Sequence, residues 1–269
     1  MSMLWLREWP TFWAGLLVVG AFVALSLLGL WLTRPWMRKR AGETNELVNY
    51  YVAAIGIFYA LLVGLIAVAT WENHSKVEDV VSSEAVAASD LYRDMEFYPS
   101  PLREELRGVL QQYVRAVIDK EWPLQERGVT PTQIADHVNQ LVRKMVTFEP
   151  ATSGQQLAHA EGLRQVNVVL SLRRQRFQAV DDGLSRLMWL IVLVGAAVTI
   201  CTTFLFYTEK VLIQALLTVA LSVVIGLSVF LTFTLDSPLV GSSAVQPTSF
   251  QDALSAMKHV GDEDAGARP

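Results

Sequence analysis

Four histidines (His74, His137, His159 and His259), one cysteine (Cys201) and the acidic pair Asp181–Asp182 are the side chains from which nucleophilic, general-base or metal chemistry would be built. The histidines stand far apart and each has polar neighbours, which reads as solvent-facing imidazole rather than catalysis. The acidic pair precedes a long apolar run, a position where carboxylates cap a helix and complement its N-terminal dipole. A lone cysteine forms no internal disulfide, and no His/Cys cluster has metal-ligand spacing. The sequence also lacks a G-x-S-x-G elbow, an H-E-x-x-H helix, a phosphate-binding glycine loop and paired C-x-x-C knuckles. An enzyme is therefore the poorer class of reading, and no cofactor or metal is expected.

The spacing that does stand out is apolar. Gly56, Ala60 and Gly64 recur every four residues, a stripe that lets another helix approach closely. Ile57, Leu61 and Leu65 recur at the same interval on the adjacent line. Such a helix can pack by its small stripe and line a narrow dry pore with its aliphatic one. The same pattern also fits aliphatics facing lipid beside an intramolecular contact.

The elements carrying these residues are set by composition. Of 269 residues, 52% are hydrophobic and only 18% charged, against about 25% charged in an average soluble domain. The formal charge of -4 supplies no basic field for nucleic acid. Four stretches contain no Asp, Glu, Lys, Arg or His: Thr11 to Leu32, Leu47 to Thr70, Leu187 to Tyr207 and Val211 to Leu235. Each reaches the roughly 20 residues a helix needs to cross a bilayer. Aromatic anchors flank them: Trp5, Trp9, Trp13, Trp31 and Trp36 around the first, Tyr50, Tyr51 and Trp71 around the second, Trp189 and Tyr207 around the third. The first stretch is too long for a signal peptide h-region and has no small-x-small site after it. With no ionisable residue inside the spans, a proton-coupled transporter is excluded, while a channel with an apolar constriction and a passive anchor both remain.

Between the second and third spans the pattern is helical throughout. Val77, Val80, Ala88, Leu91 and Met95 extend the second span. Leu102, Leu106, Leu110, Tyr113 and Val117 form the next stripe, with Ser100 as its expected N-cap, and Pro123 and Gly128 end it. Thr130 to Gln133 and Ser153 to Gln156 have the form of capping boxes. After the fourth span, a short amphipathic helix is expected from Thr248 to about Val260, then a disordered tail. The expectation is an all-α integral membrane protein: a first transmembrane pair over residues 1–71, a helical extramembrane insert over 72–186, a second pair over 187–235, and a C-terminal segment over 236–269.

Tyr59, Trp71-Glu72, Glu84-Ala85 and Leu91-Tyr92-Arg93, then Tyr113, Val117 and Glu121-Trp122-Pro123, then Asp236, Pro238, Gly241 and Phe250, follow in an order that resembles the bestrophin-like family of bacterial membrane proteins. That family is distantly similar to the bestrophins, homopentameric anion channels with four membrane helices per subunit. The resemblance implies a homo-oligomer, a pentamer above all, in the inner membrane, passing small anions of the chloride type. It also implies a pore neck on the second span, at Ile57, Leu61 and Leu65, with Gly56, Ala60 and Gly64 against a neighbouring helix. No aromatic residue stands at Leu65, and the acidic calcium clasp of the animal proteins has no counterpart. Charge counting leaves the orientation tied: Arg34, Arg38, Lys39 and Arg40 favour a cytoplasmic first loop, Arg173, Arg174, Arg176 and Arg186 a cytoplasmic insert. The resemblance breaks the tie toward a cytoplasmic insert. The other reading is a non-conducting scaffold or sensor whose insert binds a partner or ligand.

Overall fold

A computed structural model describes residues 9–38, 45–131, 136–181, 183–206 and 208–266. The expected anchors Trp5 and Tyr207, the basic residues Lys39 and Arg40, Thr132 and Gln133 of the first capping box, Asp182, and residues 267–269 of the tail lie outside them. The described residues contain helices and no strand. In chain order they are α1 (Thr11–Arg38), α2 (Asn45–Asp94), a 3₁₀ turn (Met95–Phe97), α3 (Leu102–Ala116), a π turn (Val117–Glu121) and α4 (Trp122–Gln125). They continue with α5 (Asp136–Val146), α6 (Ser153–Asp181), α7 (Arg186–Phe204), α8 (Val211–Leu235) and α9 (Thr248–Gly266). Four of them, α1, α2, α7 and α8, are long and apolar enough to cross a membrane. By internal contacts the chain forms two compact units, Met1–His74 with Gly183–Asp236, and Ser75–Asp182 with Ser237–Pro269.

In the first unit, α1 lies against α8. A Cβ on Gly226 would stand 3.2 Å from the Val19 Cα, so the two backbones approach as closely as a small residue permits. Beside this contact the Ser222 hydroxyl donates to Ser26 Oγ at 2.7 Å, a polar pair sealed from lipid. A Cβ on Gly15 would stand 3.0 Å from the Phe230 ring, and one on Gly29 would clash with the Phe204 ring at 2.5 Å. Arg34 reaches over to the turn between α7 and α8, donating to Gln214 Oε1 at 2.7 Å and to the Thr208 carbonyl at 3.2 Å. Gln214 in turn donates to the Phe206 carbonyl at 2.5 Å.

The second unit is a helical core around Leu91, Met95, Leu106, Leu110, Tyr113, Val117, Leu141, Met145 and Phe250. The stripe read on α3 is the buried one. At its end Pro123 lacks an N–H and cannot continue a regular helix without disturbance. The chain widens just before it, and the Trp122 N–H bonds to the Val117 carbonyl five residues back. Gly128, at a φ of 73°, then ends α4 by donating its N–H to the Gln125 carbonyl at 2.8 Å.

Several expected helix ends are corrected. The N-cap of α3 is Pro101 rather than Ser100. Thr152, not Ser153, caps α6: its hydroxyl accepts the Gln155 N–H at 3.2 Å, while Gln155 Oε1 accepts from Ala151 N at 2.9 Å. Asp181 is the last residue of α6 and does not cap α7, whose N-cap is Ser185, accepting from Met188 N at 3.3 Å. The last helix continues to Gly266, past the expected end near Val260.

Candidate functional site

The first unit's portion of α2 has two unlike faces. Tyr59 and Val63, 8% and 5% exposed, join Val192, Ala196, Ile200 and Ile225 in the apolar core of this unit. The contact is tight, since a Cβ on Gly195 of α7 would lie 2.7 Å from Tyr59 Cδ2. On the other face Ile57, Leu61 and Leu65 are 69%, 60% and 65% exposed. The helix thus brings these three onto one line, open to whatever surrounds the chain.

Gly56, Ala60 and Gly64 do not supply the intrachain contact. A Cβ on Gly56 or Gly64 would meet nothing within 4 Å, and Ala60 is exposed. Close approaches among the long apolar helices of the first unit run through Gly15, Gly29, Gly195 and Gly226 instead. Glycine spacing signals an approachable helix but not which helix approaches it. Gly15 and Gly29 lie in α1, Gly195 in α7 and Gly226 in α8, and they carry no such four-residue repeat.

The polar residues of the second unit converge on Arg176, which is fully buried. It donates through Nε to Glu84 Oε2 at 2.8 Å and through Nη2 to Glu84 Oε1 at 3.1 Å and Glu121 Oε2 at 2.7 Å. Its Nη1 donates to Gln125 Oε1 at 2.9 Å. Arg173 donates to the remaining Glu121 oxygen at 2.6 Å, and the Tyr113 hydroxyl to Glu84 Oε1. Burial alone would lower the pKa of Arg176, but Glu84 and its neighbours hold it above the ordinary guanidinium value. Burial first, and then the Glu84 charge, push Tyr113 well above the ordinary phenol range. Two cations meet two anions here, so the cluster is neutral and built for rigidity. It ties α2, α3, the π turn, α4 and α6 together. Trp122 covers it, donating Nε1–H to the Val245 carbonyl at 3.2 Å, its ring 6.0 Å from that of Phe250.

The other singled-out positions have separate places. Trp71 and Glu72 are exposed on α2. Pro123 is exposed in α4, whereas Pro238 is buried and accepts from Val245 N at 2.8 Å. Gly241 adopts a φ of 91°, a backbone conformation that favours glycine. Asp236 holds the start of α7: its Oδ1 accepts from Leu184 N at 2.5 Å and its Oδ2 from Trp189 Nε1 at 3.1 Å. Two histidines depart from the solvent-facing reading. His159 Nδ1 lies 2.9 Å from the Tyr98 hydroxyl, and His74 Nδ1 is buried. Among the described residues no group of His, Cys, Asp or Glu is arranged to hold a metal ion. Arg173 and Arg176, positive charges before the third apolar run, are paired with Glu84 and Glu121 inside the second unit.

Sequence comparison decides the family, for the Bestrophin-like domain matches residues 20–250. The chain belongs to the Bestrophin-like family. Bestrophin structures match it across nearly its whole length. A single-substitution variant of the bacterial bestrophin homologue of Klebsiella pneumoniae aligns with 92% of this chain and 98% of its own, at 10% identity and a TM-score of 0.69. Another variant of that homologue gives 11% identity, a TM-score of 0.70, and 91% and 97% coverage. A crystal structure described as a membrane protein gives 10% identity, a TM-score of 0.69 and the same coverages. At such identity these likenesses speak for the fold alone. No curated protein sequence matches the chain.

Proposed function

We propose that this bestrophin-like membrane protein is an oligomeric ion channel, a pentamer in the inner membrane, whose neck is formed by Ile57, Leu61 and Leu65 around a shared axis. The observation that carries this reading is the uncovered aliphatic line on α2, set back to back with a sealed face at Tyr59 and Val63. An apolar ring holds back ions because an ion must shed water there with no polar group in exchange. Gly56, Ala60 and Gly64, open within the chain, are the surface on which a neighbouring subunit packs. In this reading α1, α2, α7 and α8 span the bilayer, residues 72–186 form the cytoplasmic insert, and Glu84, Glu121 and Trp122 keep that insert in shape. Asp236 and Pro238 do the same for the chain that enters α7 and leaves α8. Trp71 and Glu72 close the second span. Membrane lipid and further copies of the chain are the partners, and small anions are the permeant species implied by the family resemblance.

The test is ion flux into liposomes holding only the purified protein, with the mass of the assembly measured in nanodiscs. Flux together with a pentameric mass supports the channel. A strictly monomeric species removes it and leaves the alternative, an insert anchored by four helices that binds a partner or ligand.

A further inference from the structure

We propose that the second unit carries a binding site for linear polyamines, in the groove between α2 and α6 whose ends are Asp79 and Asp90. The groove is open and encloses about 440 Å³. Both aspartates belong to one unbroken helix. About three turns separate them, so they stand on one face, about 16 Å apart along the axis. Between them the wall is apolar, with Val86 from α2 and Val168 and Leu172 from α6. Val86 keeps 55% of its surface exposed there. Ser82 and Ser83 add hydroxyls to the α2 side. Gln165 crosses the floor, donating Nε2 to the Ala87 carbonyl at 3.4 Å.

This arrangement selects its ligand by charge and by length. Among the described residues no lysine, arginine or histidine lines the groove. Asp79 is exposed and makes no ion pair among the described residues, while Asp90 meets Arg93 at 3.7 Å on the surface. Negative charge gathers at the Asp90 end. There the Asp94 carboxyl is pushed above its ordinary value, by burial first and then by the Glu161 and Asp90 charges. The groove therefore repels anions. A single metal ion cannot serve both ends, since its oxygen ligands must lie within about 2.6 Å. A methylene chain with an ammonium at each end meets every feature. Each ammonium reaches one aspartate, the methylenes cover Val86, Val168 and Leu172, and internal amines donate to Ser82 and Ser83. An exposed ion pair is weak by itself. Joining two on one molecule makes the second contact intramolecular, which favours a long polyamine over a short one.

The experiment is calorimetric titration of spermine into the full-length protein in phosphatidylcholine nanodiscs, with the heat from empty nanodiscs subtracted. Saturable binding is expected, with putrescine, too short to reach both aspartates, roughly tenfold weaker. Asp79→Asn and Asp90→Asn should each weaken spermine binding roughly fivefold. Val86→Lys, which sets a cation on the wall between them, should weaken it further. Asp119→Asn, at an exposed carboxylate outside the groove, should leave it unchanged. Added salt should weaken binding as the charges are screened. Absence of saturable binding, equal affinity for spermine and putrescine, or an equal response to Asp79→Asn and Asp119→Asn would overturn the inference. None of these results depends on ion flux, so the channel reading stands or falls separately.

Discussion

Arg176 and Glu84 face each other side by side, Nε to Oε2 at 2.8 Å and Nη2 to Oε1 at 3.1 Å, with neither side chain exposed to any degree. The two come from helices ninety-two positions apart in the chain and bring Glu121, Gln125 and Tyr113 with them. A planar guanidinium is suited to this, because its five donors can serve several acceptors at fixed angles.

Breaking this pair from one side strands a buried charge. Arg176→Met leaves Glu84 and Glu121 short of their shared cation and should destabilise the insert by about 3–5 kcal/mol. Glu84→Gln should be comparably harmful, and combining it with Arg176→Met should cost less than the sum of the two. Thermal unfolding of the purified protein, followed by loss of helical signal, measures all three. Full additivity would mean that the two side chains act independently.

Two kinds of glycine should respond differently. Gly195→Leu meets the Tyr59 ring, which a bare Cβ already approaches to 2.7 Å, and should lower the yield of folded chain. Gly64→Leu meets nothing within the chain, so the folded chain should survive while the assembly loosens. Size-exclusion mass measurement beside a folding assay separates the two outcomes. A Gly64→Leu protein that assembles as the native one does would remove this stripe from the subunit contact.

Alkaline solution should destabilise the insert. Tyr113 is held protonated well above its ordinary value of 10.0, and burial pushes Tyr98 up to about 12. A phenol whose folded pKa is raised contributes stability that is complete below the unfolded pKa and lost as pH climbs through the folded one. Stability should therefore be insensitive to these groups below pH 10 and fall above it. Tyr113→Phe should reduce the slope above pH 10, although it leaves Glu84 with one donor fewer. An unchanged slope would contradict the assignment.

The long apolar helices and the helical segments between them were legible because continuous apolar composition and a single buried face mark consecutive residues. That is why Thr11 to Leu32 and the Leu106, Leu110, Tyr113 stripe read correctly. The contacts were not legible. Gly195 is one glycine in an apolar run, and only the Tyr59 ring across from it explains the missing side chain. Arg173 and Arg176 look like flanking positive charge until the fold brings Glu84 and Glu121 to them. The cap of α7 is Ser185, since α6 runs on through Asp181. The aliphatic line at Ile57, Leu61 and Leu65 was visible as a spacing. Its exposure within the chain belongs to the fold.

The channel itself is tested most directly at Leu61. Liposomes carrying equal amounts of assembled native and Leu61→Ala protein should both show ion flux, with the variant faster, since a smaller side chain rewets an apolar constriction without removing any charge. Equal flux from the two, with native flux measurable, would contradict a neck at Ile57, Leu61 and Leu65.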